Sequence, residues 1–436
     1  MTAVRDEPPL VAIFLLSAAA LAYEVLLVRL FSIIHWHHFA FMVISLALLG
    51  YGVSGSLIML FRTFFLRYFP AVFFLNILLF GISSTGVFAI VQGLSFNALE
   101  ILWDSSQWLR LLLTYLFLSL PFLFVANTIA LTMLRFDLQI ARIYSADLIG
   151  AGVGAIGIML LLTIFEPATV LKLLAFAGLS AGVVVLRYTR RQLAAAFSLA
   201  IVASGILLLP TSWLESRLSD YKGLVQTLRI EGARHLDSHS SPVSRIDVVE
   251  NRQVPFRNAP GLSLQSPVGP NEQLAVFSDG DAMMTIDRHA GQESPGYMGY
   301  MSSALPYQLG RQFERVAVLN AGTGAAARQA AAYGSGRIDA VEPDTQLTRL
   351  VSETYAGYSG WQQFAERIEL HNTTARAWAA RKKHSYDLVV MGVPGSSTGG
   401  AAGVYAFATD FDLTVEALES YYAMLEPGGF LVISLW

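Results

Sequence analysis

The segment Val316 to Gly324 reads Val-Ala-Val-Leu-Asn-Ala-Gly-Thr-Gly. An apolar run that ends in Gly322-Thr323-Gly324 is a strand entering a tight turn and then a helix. Glycine lets the backbone approach a ligand closely, and the first amides of the helix point towards it. Glu342 closes the next apolar run, twenty residues after Gly322. At that spacing a carboxylate can accept two hydrogen bonds from a ribose. Strand, turn, helix, strand and acid form a pattern for holding a nucleoside.

The elements around this pattern alternate. Runs at 315–320, 337–341, 367–371, 387–391 and 430–435 read as strands with helices between them. Such alternation predicts a parallel sheet covered on both faces. Ahead of it, 244–250 alternates as a strand, 274–286 reads as a hairpin turning at Asp279-Gly280, and Pro255, Pro260, Pro267 and Pro270 mark an irregular loop between them. Residues 392–403 are rich in Gly and Ser and read equally as a lid over the cleft or as a plain connection.

The first half is written for a different solvent. Runs at 11–33, 39–61, 70–92, 109–133, 144–165, 168–187 and 193–211 are each near the roughly 20 apolar residues that cross a bilayer as helix. Arg62 and Arg67, Arg135 and Arg142, and Arg187, Arg190 and Arg191 follow the even-numbered runs, which places the N-terminus and those exits in the cytoplasm. Seven spans from that start export residues 214–436, whereas a nucleotide-type domain needs a cytoplasmic ligand pool. Either the last run, Leu193 to Thr211, lies in the interface or inserts as a re-entrant segment, or the domain is exported. The chemistry favours the cytoplasm, the charge pattern favours export, and export is the reading preferred by a small margin.

Three polar features interrupt the apolar runs. Glu24 lies mid-span, where a carboxylate is costly; pairing with a polar group on another span is the favoured reading over proton or substrate handling. Arg29, five residues on, is expected to reach towards the interface. His35-Trp36-His37-His38 sits at a span boundary and reads as an interfacial anchor, since three histidines in four residues cannot all face one ion. No metal site is expected. Gly50, Gly52 and Gly55, and Gly150, Gly154 and Gly157, read as small-residue packing faces that concern assembly, including a homo-oligomer.

In order along the chain, several short stretches resemble the membrane-embedded spermidine-synthase-like proteins. They are Leu21-Ala22-Tyr23-Glu24-Val25 through Arg29-Leu30, His38-Phe39-Ala40-Phe41, Ala146-Asp147-Leu148-Ile149-Gly150-Ala151, Ser241-Pro242-Val243-Ser244, Asp279-Gly280, the glycine turn, Val341-Glu342-Pro343-Asp344, and Leu425-Glu426-Pro427-Gly428-Gly429. The resemblance implies a multi-span helical membrane bundle (1–213), a small β-rich subdomain (214–310) and a Rossmann-like domain of S-adenosylmethionine-dependent methyltransferase type (311–436). A sheet of that type usually continues past a fifth strand, so the chain is read as a fragment or a reduced domain. The implied cofactor is S-adenosylmethionine or its decarboxylated form, held by Gly322, Thr323, Gly324, Glu342 and Thr374. Asp279 and Asp281 are the implied substrate-facing carboxylates, and the implied setting is the bacterial inner membrane.

The departures from the family bear on activity. Aminopropyltransferases carry an Asp in the glycine turn where Thr323 stands, a Gly-Asp pair reading the adenine where Thr373-Thr374 stands, and a proton-accepting Asp where Gly392 stands. A Tyr-His-Glu run is missing around Met298 to Tyr300. A polyamine cation bound without carboxylates leaves charge unpaired, and its ammonium needs a base before it attacks. Spermidine synthesis in its usual form is therefore not expected, and no catalytic residue is named.

Composition agrees with the division. The chain has 436 residues, 54% hydrophobic and 14% charged, with a mean hydropathy of +0.51. That is too apolar for one soluble protein of this size. A net charge of -3 excludes a broadly basic nucleic-acid binder, and the absence of cysteine excludes disulfides, thiolate metal sites and cysteine nucleophiles. The expected partners are a lipid bilayer and a small-molecule ligand. Two functions stand: a membrane-bound transferase, and an inactive membrane-anchored module that binds a ligand or docks a partner. A transporter working through Glu24 and Asp147 ranks last, because no inverted repeat or broken-helix pair is visible.

Overall fold

A run of about 20 apolar residues is far longer than an ordinary strand, and the first half of the chain folds as a succession of long helices. The computed structural model describes residues 7–35, 40–94, 96–184, 190–289, 296–392 and 411–434. It divides into two compact units, Met1–Ser219 and Asp220–Trp436.

The first unit comprises α1 (Leu10–Ile34), α2 (Ala40–Arg67), α3 (Phe69–Gly93), α4 (Ser106–Arg135), α5 (Ile140–Ile164), α6 (Pro167–Val184) and α7 (Arg190–Leu208). Among the described residues six helices, α1 to α6, are long and apolar enough to cross a membrane. The seventh expected run, 193–211, falls on α7, of which Phe197–Leu208 is described in full and the earlier part lies outside the residues whose side chains are described.

Glycine decides how closely these helices approach. A Cβ at Gly150 or Gly154 would lie 2.3 and 2.1 Å from the carbonyl oxygens of Phe14 and Ala18, so α5 rests directly on the backbone of α1. Gly50 holds α2 against α4 in the same way, with Ser119 O 2.8 Å from its virtual Cβ. Gly52, Gly55 and Gly157 have no atom within 4 Å of theirs. Half of the expected packing glycines therefore pack within this chain and half face outwards.

The charged residues within the apolar helices can also be set against expectation. Arg29 is buried at 6% exposure, with Nη1 donating to Ser32 Oγ at 3.0 Å, instead of reaching outwards. Ser17 donates to the Asp147 carboxylate and so ties α1 to α5. Glu24 has no hydrogen-bond or ion-pair partner among the described residues. His35 is buried between the rings of Phe31 and Phe96; residues 36–39 lie outside the described residues.

In the second unit, β1 (Ala233–Ser240), β2 (Arg245–Asn251), β3 (Gln273–Ser278) and β4 (Asp281–Asp287) form an antiparallel sheet in chain order. β5 (Arg315–Leu319), β6 (Arg337–Val341), β7 (Ile368–His371), β8 (Tyr386–Gly392) and β9 (Leu425–Ser434) form a parallel sheet of order β7-β6-β5-β8-β9. Val316 and Val318 join one apolar cluster while Ala317 and Leu319 join another, so both faces of β5 are covered. Burial on both faces is why these strands read as unbroken apolar runs. The order reverses direction between β5 and β8, and ligands of open α/β sheets bind outside the carboxyl ends of the strands at such a reversal.

Candidate functional site

The glycine turn lies at the carboxyl end of β5, beside that reversal. Gly322 (φ 55°) and Gly324 (φ 77°) are both left-handed, a conformation that costs glycine nothing. A Cβ on Gly324 would also stand 2.7 Å from the Trp361 ring. Gly324 caps the helix Ala325–Ala332, whose first amides open towards the turn.

Glu342 lies just beyond β6 and is 6% exposed. Its Oε2 accepts the Gly322 amide at 2.8 Å and its Oε1 accepts the Asp344 amide at 2.9 Å. Burial raises its carboxyl above the usual range, the two amides pull it back, and the nearby Asp344 carboxylate raises it again. A carboxylate offers about four lone-pair positions, so the two amides leave about two for a ligand. Asp344 in turn caps the helix Thr345–Arg349 by accepting the Gln346 amide at 2.9 Å, and it accepts a hydrogen bond from Ser244 Oγ.

The other expected residues fall as follows. Thr323 is buried, and its hydroxyl donates to Thr285 O at 2.7 Å, turned towards β4. Thr374 caps the helix Ala375–Ala379 and accepts the Ala377 amide at 3.3 Å. Asp279 occupies the hairpin turn at φ 51° and accepts the Arg245 amide at 2.8 Å. Arg245 adjoins Ser244, so Asp279, Ser244, Asp344, Glu342 and Gly322 lie along one path of hydrogen bonds and neighbouring residues. Asp281 opens β4, three residues before Met284, whose sulfur would touch a Cβ on Gly322 at 3.1 Å. Gly392 ends β8 next to Asn320 O. The Gly- and Ser-rich stretch from residue 393 to 403 lies outside the described residues.

Two groups of residues escaped the sequence reading. Asp412 accepts Asn320 Nδ2 at 3.1 Å and the Tyr421 hydroxyl at 3.2 Å, which places a carboxylate at the end of β5, the strand beside β8. It lies ninety-two residues from Asn320, and no local spacing announces it. The second group centres on Asp287, which accepts Gln273 Nε2 at 2.8 Å and the Tyr297 hydroxyl, while Arg328 Nη1 donates to its carbonyl at 3.3 Å. Burial, then the Asp287 charge, raises the Tyr297 hydroxyl far above its ordinary value. This network fixes β3 and β4 to the helix that starts at the glycine turn. Tyr297, just before the window where the Tyr-His-Glu run is absent, was the one signal for it.

Asp339, Glu369 and His371 bring three potential metal-ligand atoms within 4.8 Å of one another. Arg337 already supplies positive charge there, 3.5 Å from Asp339 and 2.6 Å from Glu369. His371 Nε2 and the Tyr386 hydroxyl take up Asp339 at 2.9 and 2.8 Å. Arg337 bridges the two carboxylates, and Asp339 is further held by His371 and Tyr386.

No known protein-family model matches the chain. No curated protein matches it. Among solved structures it is distantly similar to a spermidine synthase from Thermotoga maritima, at 16% identity and a TM-score of 0.30 over 44% of this chain and 53% of that one. A spermidine synthase in complex with the transition-state analogue AdoDATO matches at 17% identity and a TM-score of 0.29, with the same coverage of both chains. The chain thus spans about half the length of the spermidine synthase structures it matches.

Proposed function

We propose that the second unit binds S-adenosylmethionine or its decarboxylated form at the carboxyl ends of β5 and β6, and that the chain is a membrane-bound transferase of spermidine-synthase-like type. One observation carries this reading: Glu342 is held by two backbone amides directly beneath the left-handed turn Gly322-Thr323-Gly324, at the reversal of the sheet. In this reading the remaining lone pairs of Glu342 accept the ribose hydroxyls. Gly322 and Gly324 let the backbone lie against the ligand, and Thr374 lies at the adenine end.

The cofactor supplies an activated carbon on a sulfonium. The chain's own tasks are to orient an acceptor and take its proton. Gly392 offers no carboxylate for that, so Asp412, anchored by Asn320 and Tyr421, is the proposed proton acceptor. In this reading the six helices α1 to α6 are the crossings, and a cytoplasmic start then leaves the second unit on the cytoplasmic side with its ligand pool. The setting proposed is the bacterial inner membrane.

A second reading, a catalytically inactive ligand-binding module, is favoured by Thr323 alone: its hydroxyl is already spent on Thr285 O where the family has an acid. Radiolabelled S-adenosylmethionine binding to the wild type and to Glu342→Ala tests the common part of both. The expected loss in the variant is about tenfold or more, the scale of hydrogen bonds to a charged group. Equal affinity removes Glu342 from the site. Methylated or aminopropylated product from any acceptor excludes the inactive reading.

A further inference from the structure

A cavity of about 770 Å³ opens at the far end of the small sheet, lined from β1, β2, β3 and the segment bearing Tyr355 and Tyr358. Its size falls within the range of small-molecule pockets. It is not the glycine-turn site. β2 begins beside Ser244, which bonds Asp344, and reaches the cavity at Glu250, six residues on. At about 3.3 Å per residue that is roughly 20 Å.

Its chemistry is one-sided. Three arginines (Arg252, Arg257 and Arg288) face two glutamates (Glu250 and Glu272). Arg252 Nε binds Glu250 at 2.8 Å and Arg288 Nη1 binds Glu272 at 2.7 Å, so both carboxylates are neutralised. Both arginines remain largely exposed, at 77% and 61%, with further N–H groups to offer. Among the described residues Arg257 has no hydrogen-bond or ion-pair partner. The Tyr358 hydroxyl is buried and likewise without a partner. Donors are in surplus, and a buried unpaired hydroxyl costs free energy until an acceptor arrives. Phe256, Leu236, Leu274 and Tyr355 supply the apolar walls.

We infer that this cavity is a second ligand site, which takes an organic anion: a flat apolar or aromatic body bearing a carboxylate or phosphate that pairs with Arg257 and the Tyr358 hydroxyl. Burial pushes the Tyr358 hydroxyl up to about 12, so it stays a donor throughout the neutral range. Arg257 is the charge for which no described residue competes. The site stands independently of the glycine turn.

Calorimetric titration of the full chain in neutral detergent tests this with phenyl phosphate and benzoate, against inorganic phosphate and phenol as the anion without the body and the body without the anion. Phenyl phosphate, benzoate or both are expected to bind at least about tenfold more tightly than either control. Which of the two binds tells phosphate from carboxylate. Arg257→Ala, an exposed substitution that leaves the fold intact, is expected to weaken binding about tenfold, and Tyr358→Phe several-fold. Saturating S-adenosylmethionine should leave the titration unchanged. Failure of both anions to bind the wild type, equal binding of phenol, unchanged affinity in Arg257→Ala, or displacement by S-adenosylmethionine would each overturn the assignment.

Discussion

At the residue scale, the outcome turns on which side chains are free and which are already engaged. Asp339 is instructive because its surroundings set a pH dependence. Burial works against its ionised form, but hydrogen bonds from His371 and Tyr386 and the Arg337 charge outweigh burial and hold its carboxyl below the usual range. A depressed carboxyl contributes stability that is fully present above its unfolded value, about 3.9, and is lost as pH falls through the lower folded value. Asp339→Asn is therefore expected to unfold at lower temperature than the wild type near neutral pH, with the gap closing below about pH 4. A gap that persists unchanged into acid contradicts the assignment.

The contact of Glu342 with the glycine turn was legible because strand, glycine turn and acid recur at a fixed spacing. Thr374 was placed by resemblance alone, and its hydroxyl serves as a helix cap. Asp412 and Asp287 were invisible because their partners come from distant sequence and from a sheet whose packing no periodicity reveals.

At the scale of elements, the parallel strands were readable since burial on both faces writes them as apolar runs. β1 was missed. Its sequence, Ala-Arg-His-Leu-Asp-Ser-His-Ser, has no β-branched residue, and it exists as an edge strand because β2 offers it a ladder. β9 begins at Leu425, earlier than expected, since Glu426-Pro427-Gly428-Gly429 reads as a turn yet stays within the strand. The glycines of α5 were recognised as a class but not sorted, because lining up small residues does not say which face meets a neighbour.

The structure sorts them, and the sorting is testable. Gly154→Ala forces a Cβ into the Ala18 carbonyl and is expected to destabilise the α1–α5 pair by about 1–3 kcal/mol, the cost of overpacking. Gly157→Ala, facing open space, is expected to be neutral or slightly stabilising. Thermal unfolding in detergent compares the two, and equal effects would refute the close approach at Gly154.

At the scale of the whole molecule, the proposed membrane topology makes the number of crossings decide on which side the second unit lies. The absence of cysteine makes this simple to read, because one introduced thiol is the only one. Leu264 is fully exposed, so Leu264→Cys presents an accessible label site. With six crossings, a membrane-impermeant maleimide should fail to label it in intact cells and label it fully after permeabilisation. Labelling of intact cells would mean that α7 crosses as well.

The central claim is that the turn at Gly322 to Gly324, with Glu342 beneath it, holds a nucleoside cofactor. Its most direct test is calorimetric titration of the folded wild-type protein with S-adenosylmethionine and with its decarboxylated form. Saturable one-to-one binding of at least one is predicted, and the preferred form names the group available for transfer. If a sample with an intact unfolding transition binds neither, the turn and its acid are features of the fold alone.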